Sequence, residues 1–392
     1  MNILIINTGS SSLKYQLFNM DDVKVLTGGV VERIGESEGI LTHKTYENGD
    51  AQKQKIKQPI PDHQAAMHMV ANLITQEIDA VGHRVVQGGE SFKSATLITE
   101  EVKKAIEENN PLAPLHNPPN LIGISVAEEL FPGKPQIAVF DTNFHQTIPE
   151  KAYLYALPYE YYTEHRVRKY GFHGTSHKYV ANEAARLMGK APEEVNLITL
   201  HLGNGCSISA VEKGKCKDTS MGMTPLAGVM MGTRCGDLDP ALFGYLMTNT
   251  GLTQTEMDEV LNKKSGLKGI CGYNDLRDIH DQAAKGDKNA ALAVDMFAYQ
   301  IKKYIGAYAA VLGRVDALVF TAGVGENDEI VRAKALEGLD FLGVEIDKAV
   351  NDVRNPEPHT IHTPESRVQV WVVPTDEERQ IAVETQEVLN KA

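Results

Sequence analysis

Short apolar runs bounded by glycine alternate with helix-like patterns along much of the chain. Residues 2–6 form an apolar run that predicts a buried strand, and the alternation over residues 13–17 predicts a second strand after a turn of small residues. Residues 196–200 repeat the apolar run, and Ile208 and Ala210 repeat the alternation. Two such hairpins, half a chain apart, predict an internal duplication.

Helical periodicity fills the intervals between the predicted strands. Residues 63–74 carry an apolar face after a start signal at Pro61 and Asp62. Residues 289–312 are apolar over most of the helix circumference, which predicts either a central helix or a subunit contact. A last helix is predicted to begin at Thr375, with Glu378 in capping-box register.

Composition narrows the function classes. The chain has 392 residues, enough for two to three domains, and 39 Lys and Arg against 52 Asp and Glu give a formal charge of −13. Nucleic-acid and anionic-membrane surfaces need basic patches, so neither partner is expected. No apolar run reaches membrane-spanning length and no basic region precedes the first one, so we expect a cytoplasmic protein. The four cysteines lack zinc-type spacing, and we expect reduced thiols.

Three turns of small residues end predicted strands and offer backbone N–H groups to an anion. Residues 7–14 (NTGSSSLK) add hydroxyls and an ammonium, although a plain solvated turn is an equal alternative. Residues 201–205 (HLGNG) permit the same interpretation, but His201 could equally be a packed strand-end histidine. Residues 323–327 (GVGEN) lie between a predicted strand and a predicted helix, where glycines allow a nucleotide to approach the backbone. No Walker A sequence is present.

A few polar side chains have contexts that favour chemistry over solvation. Arg84 follows Gly82 by two positions and Arg234 lies between Gly232 and Gly236, and these small surroundings suit a guanidinium that binds an oxyanion in a cleft. Asp141 closes the predicted strand over residues 136–140, although it could be a cap or turn residue. Residues 173–177 (HGTSH) have the spacing of two metal-binding histidines but lack the glutamate of the zinc-protease motif, so we do not expect zinc.

Ten blocks of the sequence, spread from end to end, carry a resemblance: NTGSSSLK, GHRVVQGGE, LAPLHNPPN, VFDTNFHQT, RKYGFHGTSH, HLGNG, DTSMGMTPL, MGTRCGDLDP, FTAGVGEN and VPTDEE. In this order they resemble the acetate kinase (acetokinase) family. The resemblance implies an α/β fold of two duplicated ribonuclease-H-like (actin-like ATPase) domains around a central cleft. It implies an acetate- and metal-side domain over residues 1–147 plus the helix 376–392, and a nucleotide-binding and dimerisation domain over residues 148–375.

The resemblance also implies the reaction, which is the reversible transfer of the γ-phosphoryl group of ATP to acetate, giving acetyl phosphate and ADP. Mg²⁺ is the implied cofactor, with Mn²⁺ as an alternative ion. A homodimer through the second domain is implied, and residues 289–312 are the candidate contact. Two alternatives stay open: a propionate or butyrate kinase of the same family, and a nucleotide-gated clamp without kinase activity.

Site residues follow from the family's pattern. Asn7 and Glu377 are implied for the metal, and Ser10, Ser12 and Lys14 for the phosphates. Arg84 and Arg234 would hold the acetate carboxylate and the transferring phosphoryl group, His173 would stabilise the developing charge, and Asp141 is the catalytic carboxylate. We expect Asp141 to orient Arg234 or water on the metal rather than to accept a proton, because acetate is already ionised. The residues implied for the acetate methyl are Val86, Leu115, Phe172 and Pro225. Those implied for adenosine are His201, Leu202, Gly203, Asn204, Gly205, Asp275, Leu276, Arg277, Gly323, Val324, Gly325, Glu326 and Asn327.

Several positions depart from the family's pattern. Gln87 stands where histidine is usual, Asn143 where a small residue is usual, and Ala227 where glutamate is expected. Residues 269–277 are one residue shorter than in many relatives. These departures bear on the acyl substrate and on nucleotide preference.

Overall fold

The computed structural model describes residues 1–47, 50–114 and 116–391. Leu115, implied for the acetate methyl, lies outside the described residues. The chain forms two compact units: a first unit of residues 1–146 and 376–392, and a second unit of residues 147–375. In the described part of the chain, no helix combines the length and apolar character needed to cross a membrane.

Both units combine strands with helices. The strands are β1 (Asn2–Thr8), β2 (Ser12–Asn19), β3 (Lys24–Glu32), β4 (Gly39–Glu47), β5 (Asp50–Gln58), β6 (Ala80–Val85), β7 (Thr96–Leu97), β8 (Gln136–Phe140), β9 (Asn196–Leu202), β10 (Cys206–Glu212), β11 (Lys215–Thr219), β12 (Ala317–Thr321), β13 (His359–Thr360) and β14 (Gln369–Val372). The helices are α1 (His63–Leu73), α2 (Glu100–Glu108), α3 (Asn117–Leu130), α4 (Glu150–Tyr153), α5 (Glu160–His165), α6 (Gly174–Leu187), α7 (Ala241–Thr250), α8 (Gln254–Lys263), α9 (Gly266–Cys271), α10 (Leu276–Ala284), α11 (Lys288–Leu312), α12 (Ala322–Asn327), α13 (Glu329–Leu336), α14 (Lys348–Asn351) and α15 (Glu377–Leu389).

The first unit is built on a sheet with the strand order β5-β4-β3-β2-β1-β6-β8-β7. Strand β1 pairs antiparallel with β2 and parallel with β6, which pairs parallel with β8. Ile3 and Ile5 pack with Ile381 of α15, whereas Leu4 and Ile6 belong to the core that includes α1. Because β1 is covered on both faces, its sequence is a continuous apolar run rather than an alternating one.

The second unit is built on a sheet with the strand order β11-β10-β9-β12-β14-β13. Its five strands β11-β10-β9-β12-β14 repeat the order and directions of β3-β2-β1-β6-β8: an antiparallel meander followed by two parallel neighbours. The predicted internal duplication is therefore confirmed in the fold, and the two predicted hairpins are β1–β2 and β9–β10.

The predicted helices are present, with one wrong terminus. Helix α1 begins after Asp62, which caps it, and α11 covers the long apolar run. The capping box predicted at Thr375 is wrong, because Asp376 accepts the Arg379 amide at 3.0 Å and caps α15. Glu378 instead forms an ion pair with a lysine of β2.

Candidate active site

In the first unit, the carboxyl ends of three neighbouring strands bring polar side chains together. Asn7 lies near the end of β1, Arg84 near the end of β6, and Asp141 directly after β8. Arg84 donates from Nε to Asp141 Oδ1 at 3.0 Å and from Nη2 to Oδ2 at 2.5 Å. Its Nη1 donates to Asn7 Oδ1 at 3.3 Å. The fork geometry fixes the plane of the guanidinium, and Arg84 is a partner for Asp141 that the sequence analysis did not consider.

Glu377 completes this cluster from the first turn of α15. Its Oε2 lies 3.8 Å from Arg84 Nε. Burial raises the pKa of Glu377 to about 7, and the neighbouring carboxylates of Asp141 and Glu378 act in the same direction. Two carboxylates and the Asn7 amide oxygen around one guanidinium leave an excess of negative charge and of oxygen donors, a set that suits Mg²⁺. Among the described residues no three His, Cys, Asp or Glu side chains are grouped to hold a metal, so phosphate oxygens would have to complete its coordination.

The turn between β1 and β2 is held by its own backbone. The Gly9 amide donates to the Ser12 carbonyl at 2.8 Å, and the Gly9 carbonyl contacts His63 Nε2 at 2.7 Å. Ser10 is exposed at the turn, and Ser12 is half-buried. Lys14 Nζ lies 2.8 Å from Glu378 Oε1, so its ammonium is positioned by a buried carboxylate.

Two asparagines that the sequence analysis did not single out position the segment after β6. Asn120 accepts the Val86 amide at 3.1 Å and donates to the Thr8 carbonyl at 2.7 Å. Asn117 accepts the Gln87 amide at 3.0 Å and donates to the Gln87 carbonyl at 2.9 Å. Both lie in the first turn of α3, so the NPPN sequence serves as a clamp that keeps Val86 buried.

Two of the departures from the family's pattern place amide groups in buried positions. Gln87 is fully buried, its Oε1 accepts the Gly89 amide at 2.9 Å, and its Nε2 has no hydrogen-bond partner among the described residues. Both amide atoms of Asn143 are likewise buried without a partner among them. Buried unpaired polar atoms destabilise the folded state by about 1–3 kcal/mol each.

In the second unit, a left-handed residue starts helix α6 and carries an imidazole. His173 has φ +57° at the N-cap of α6, its Nδ1 lies 2.8 Å from Ser207 Oγ, and its ring stacks on His201 with centroids 4.1 Å apart. The same Ser207 hydroxyl lies 2.7 Å from His177 Nε2. The i, i+4 histidine pair therefore shares a hydroxyl, and its second member has a structural role. The neighbouring Phe172, implied for the acetate methyl, is buried.

Arg234 and His173 approach the same glycine. A Cβ atom on Gly205 would lie 3.3 Å from His173 Cε1 and Nε2 and 3.5 Å from Arg234 Nη1. Arg234 Nη1 donates to the Pro225 carbonyl at 3.1 Å, and burial lowers the pKa of the guanidinium. These two candidate side chains of the second unit therefore both lie close to the Gly205 position.

A cavity of about 560 Å³ lies beyond the carboxyl ends of β9 and β12 in the second unit; we call it the β9–β12 cavity. Eight of the residues implied for adenosine line it: Gly203, Asn204, Asp275, Leu276, Arg277, Gly323, Val324 and Asn327. Asp275 caps α10 and forms an ion pair with Arg277, which lowers the pKa of Asp275 to about 2. The volume falls within the range of small-molecule sites.

Five other residues implied for adenosine do not line this cavity: His201, Leu202, Gly205, Gly325 and Glu326. Leu202 is fully buried in β9. Gly325 is buried in α12, and a Cβ on it would lie 3.4 Å from the Phe320 backbone, so it faces the interior of the unit. Glu326 accepts the Ala322 amide at 2.8 Å and the Thr375 amide at 3.2 Å, a positioning role.

The glycine turn predicted at residues 323–327 is wrong in form, because these residues belong to the short helix α12. Ala322, at φ +64°, makes the sharp change of direction between β12 and this helix. A Cβ on Gly323 would meet no atom within 4 Å, so this position leaves room for a ligand near the backbone.

Seven other residues line the β9–β12 cavity and were not among the predicted site residues. They are Cys206, Gly232, Leu267, Asn274, Phe297, Asp328 and Arg354. Phe297 belongs to the buried stripe of α11 and has the periodicity of an ordinary core residue. Asn274 and Gly232, by contrast, adjoin predicted site residues, and their position in the sequence was a usable signal.

Comparison with known proteins shows the family to which this chain belongs. The model of the acetokinase family matches residues 2–383. The chain belongs to the acetokinase family. The acetate kinase of Oleidesulfovibrio alaskensis is 56% identical over 97% of this chain and 98% of its own length. The acetate kinase structure from Porphyromonas gingivalis is 46% identical with a TM-score of 0.93, and the propionate kinase structure from Francisella tularensis is 41% identical with a TM-score of 0.91; both comparisons cover 99% of each chain. The resemblance read from the ten blocks is thereby confirmed, and acetokinase relatives match both units.

Proposed function

We propose that this chain is an acetate kinase that transfers the γ-phosphoryl group of ATP to acetate in one in-line step, giving acetyl phosphate and ADP, and that it catalyses the reverse reaction. The observation that carries the proposal, within a family of carboxylate phosphotransferases, is the Arg84 fork. A guanidinium held in a fixed plane by Asp141 is suited to a small carboxylate, which it can bind through its outer edge.

The acceptor needs orientation more than activation. A carboxylic acid with a pKa of about 4–5 is already ionised at neutral pH, so no general base is required. We assign Arg84 to the acetate carboxylate, and we assign Asp141 to positioning Arg84. Val86 and Phe172 are both buried apolar side chains, and we assign them with Pro225 to the acetate methyl.

The transferring phosphoryl group needs charge stabilisation. We assign Arg234 to its oxygens and His173 to the charge that develops on it, since both side chains border Gly205. Asn7 and Glu377 are the residues that would hold Mg²⁺, and Asp141 adds a further carboxylate beside them. When bound, the ion neutralises negative charge on phosphate oxygens. Lys14 would add a point charge at the phosphates, beside the hydroxyls of Ser10 and Ser12.

We assign the nucleoside to the β9–β12 cavity. Gly203 and Gly323 give close backbone approach, while Leu276 and Val324 supply apolar contact for a base. The cavity favours a nucleoside-containing donor over inorganic pyrophosphate, which would need no apolar wall.

Acetate is the preferred acceptor in this proposal, and propionate is the second candidate because a solved relative is named a propionate kinase. One methylene changes discrimination by only about 1–3 kcal/mol, so kinetics must decide. Values of kcat/KM for acetate, propionate and butyrate should fall in that order. A higher value for propionate would assign the chain to the alternative.

The activity is tested by trapping acetyl phosphate with hydroxylamine in a reaction that contains ATP, Mg²⁺ and acetate. A hydroxamate product together with ADP is expected. ATP hydrolysis without hydroxamate would instead indicate a nucleotide-gated clamp.

We further propose that the protein is cytoplasmic, because a kinase works where ATP is supplied. We also propose that it forms a homodimer through the second unit. Helix α7 is mainly apolar, yet none of its residues is buried within the described chain, and Phe243 and Tyr245 are exposed. This makes α7 a better contact candidate than α11, whose inner stripe is buried inside the unit. Light scattering of the wild type should give a dimer, and Tyr245→Glu should shift it toward a monomer.

A further inference from the structure

The second unit contains another cavity, of about 570 Å³, near the amino end of β12; we call it the α11 cavity. Leu318 of β12 lines it, whereas Gly323, beyond the carboxyl end of the same strand, lines the β9–β12 cavity. The α11 cavity is therefore a separate space. None of its lining residues has a part in the proposed phosphoryl transfer.

The walls of the α11 cavity are apolar. Ile198 and Leu318 contribute from adjacent strands, and Ile305 contributes from α11; all three are essentially fully buried. Phe341 also lines the cavity and is 72% exposed, so it is an apolar side chain with a large surface in contact with solvent. Such walls favour an apolar body.

Two guanidinium groups complete the lining. Arg367 Nη2 donates to the Leu342 carbonyl at 2.8 Å, and Arg314 Nη2 donates to Asp316 Oδ2 at 3.0 Å. Asp316 also lines the cavity, and it accepts the Asn196 amide at 2.7 Å as well as pairing with Arg314, so Arg314 is partly neutralised and Arg367, bound to a backbone carbonyl, is the stronger anchor for an anion. Because a guanidinium carries five N–H groups, both arginines keep donors for an anion beyond these bonds.

Gly306 lies in the interior of the 25-residue helix α11 and also lines the cavity. Glycine in a helix interior is less stable than alanine. A Cβ at this position would meet no atom within 4 Å, so packing within the unit does not require a glycine. Because glycine has no side chain, it lets a ligand in the cavity approach the helix backbone closely.

We propose that the α11 cavity binds an amphiphilic carboxylate, an anion with an apolar body much larger than that of acetate. The body lies against Phe341 and the Gly306 backbone, above the buried floor formed by Ile198 and Leu318, and the carboxylate meets Arg367 and Arg314. A purely apolar ligand would leave the arginines unused, and a small polar anion would leave the apolar walls unused.

The proposal is tested on the full chain with two probes, saturating ADP being present to block the β9–β12 cavity. The fluorescent anion 8-anilinonaphthalene-1-sulfonate is titrated into the protein, and octanoate is then used to displace it. We expect saturable binding of one probe per chain and displacement by octanoate. Octanol, which lacks the charge, should displace the probe at least tenfold less well.

Variants locate the site. Gly306→Leu fills the cavity and Arg367→Gln removes an anchor, so each should weaken probe binding at least tenfold while hydroxamate formation is unchanged. Ala307→Leu, at an exposed neighbouring position on α11, and Arg186→Gln, on exposed α6 surface, are the matched controls and should bind as the wild type does. Thermal melting checks that Gly306→Leu is folded; if it is not, Arg367→Gln carries the test.

Three results would overturn the proposal: no saturable binding to the folded wild type, equal displacement by octanol and octanoate, or wild-type affinity in Arg367→Gln. Binding of the probe that depends on protein concentration and disappears in Tyr245→Glu would also overturn it, because it would place the probe between two copies of the chain.

Discussion

The substitution Asp141→Asn tests whether Asp141 positions the Arg84 guanidinium or accepts a proton. Asparagine has the shape of aspartate and can still accept from Arg84 Nε. It loses the charge, and either orientation of its amide opposes an NH₂ group to a guanidinium N–H. The plane of the Arg84 guanidinium is therefore no longer fixed.

The expected loss of unfolding free energy in Asp141→Asn follows from the burial of the Arg84–Asp141 pair. The Asp141 side chain is 2% exposed and that of Arg84 is 21% exposed. Removing one partner of a buried ion pair typically costs 3–5 kcal/mol; the partial exposure of Arg84 places Asp141→Asn at the lower end, about 3 kcal/mol of unfolding free energy. A misoriented carboxylate clamp should lower kcat/KM for acetate about 100-fold, with a much smaller effect on the KM for ATP.

Two assays measure these effects. Urea unfolding of Asp141→Asn, Arg84→Gln and the double variant gives a coupling energy, which we expect to be about 2 kcal/mol. Glu183→Gln, which alters the exposed pair with Arg186, is the control and should change stability by less than about 1 kcal/mol. A coupled ADP-release assay across pH should show the Asp141→Asn rate reduced equally at every pH. A loss of rate confined to high pH, as removal of a titrating base would give, or a coupling energy near zero, would refute the positioning role.

Three further substitutions test the second unit. Gly205→Ala should lower kcat at least about tenfold, because the methyl group would crowd His173, whereas Gly306→Ala, whose new Cβ meets no atom within 4 Å, should leave kcat unchanged; equal rates for both would contradict the placement. Gly323→Val should raise the KM for ATP and leave the KM for acetate unchanged, and a reversed pattern in steady-state kinetics would remove the nucleoside from the β9–β12 cavity. His280 binds Asp328 at 2.8 Å, which raises the pKa of His280, so its stabilisation is complete below about pH 6.5 and is lost as pH rises through the raised pKa. Urea unfolding should therefore show a larger loss for His280→Asn at low pH than at high pH, and a loss that grows with pH would disprove this.

The central strands could be predicted because their burial is visible in the local pattern of apolar residues. Residues 2–6 and 196–200 are continuous apolar runs, and β1 and β9 are indeed buried on both faces. The cap of α15 could not be predicted as readily, since Thr375 and Asp376 are both good capping residues. The choice depends on tertiary contacts, because the Thr375 amide is used by Glu326.

Within the candidate site, the sequence motifs identified the ends of strands better than they identified which side chains are hydrogen-bonded to each other. Asp141 was a clear candidate because it closes a strand, but its bond to Arg84 joins residues that are 57 positions apart. The role of Asn120 was hidden for the same reason, since its bond to the Thr8 carbonyl spans 112 positions. Distances of this kind follow from sheet order, which no local window contains.

A chain with a formal charge of −13 binds anions through a few cations, and the partners of these cations decide what each can contribute. Arg84 is paired with the buried Asp141 carboxylate, so this cation is fixed in place and largely neutralised, whereas Lys14 and Arg277 have carboxylate partners but keep half or more of their side chains exposed to solvent. Arg234 differs, because within the described residues its bonds go to the Pro225 carbonyl and the Met231 sulfur rather than to a carboxylate. A cation neutralised by a carboxylate contributes geometry, whereas one bound to neutral atoms keeps its full charge for a ligand. On this division we propose that Arg84 orients the acceptor and that Arg234 supplies the charge for phosphoryl transfer, an arrangement that lets a strongly acidic chain act on two anions.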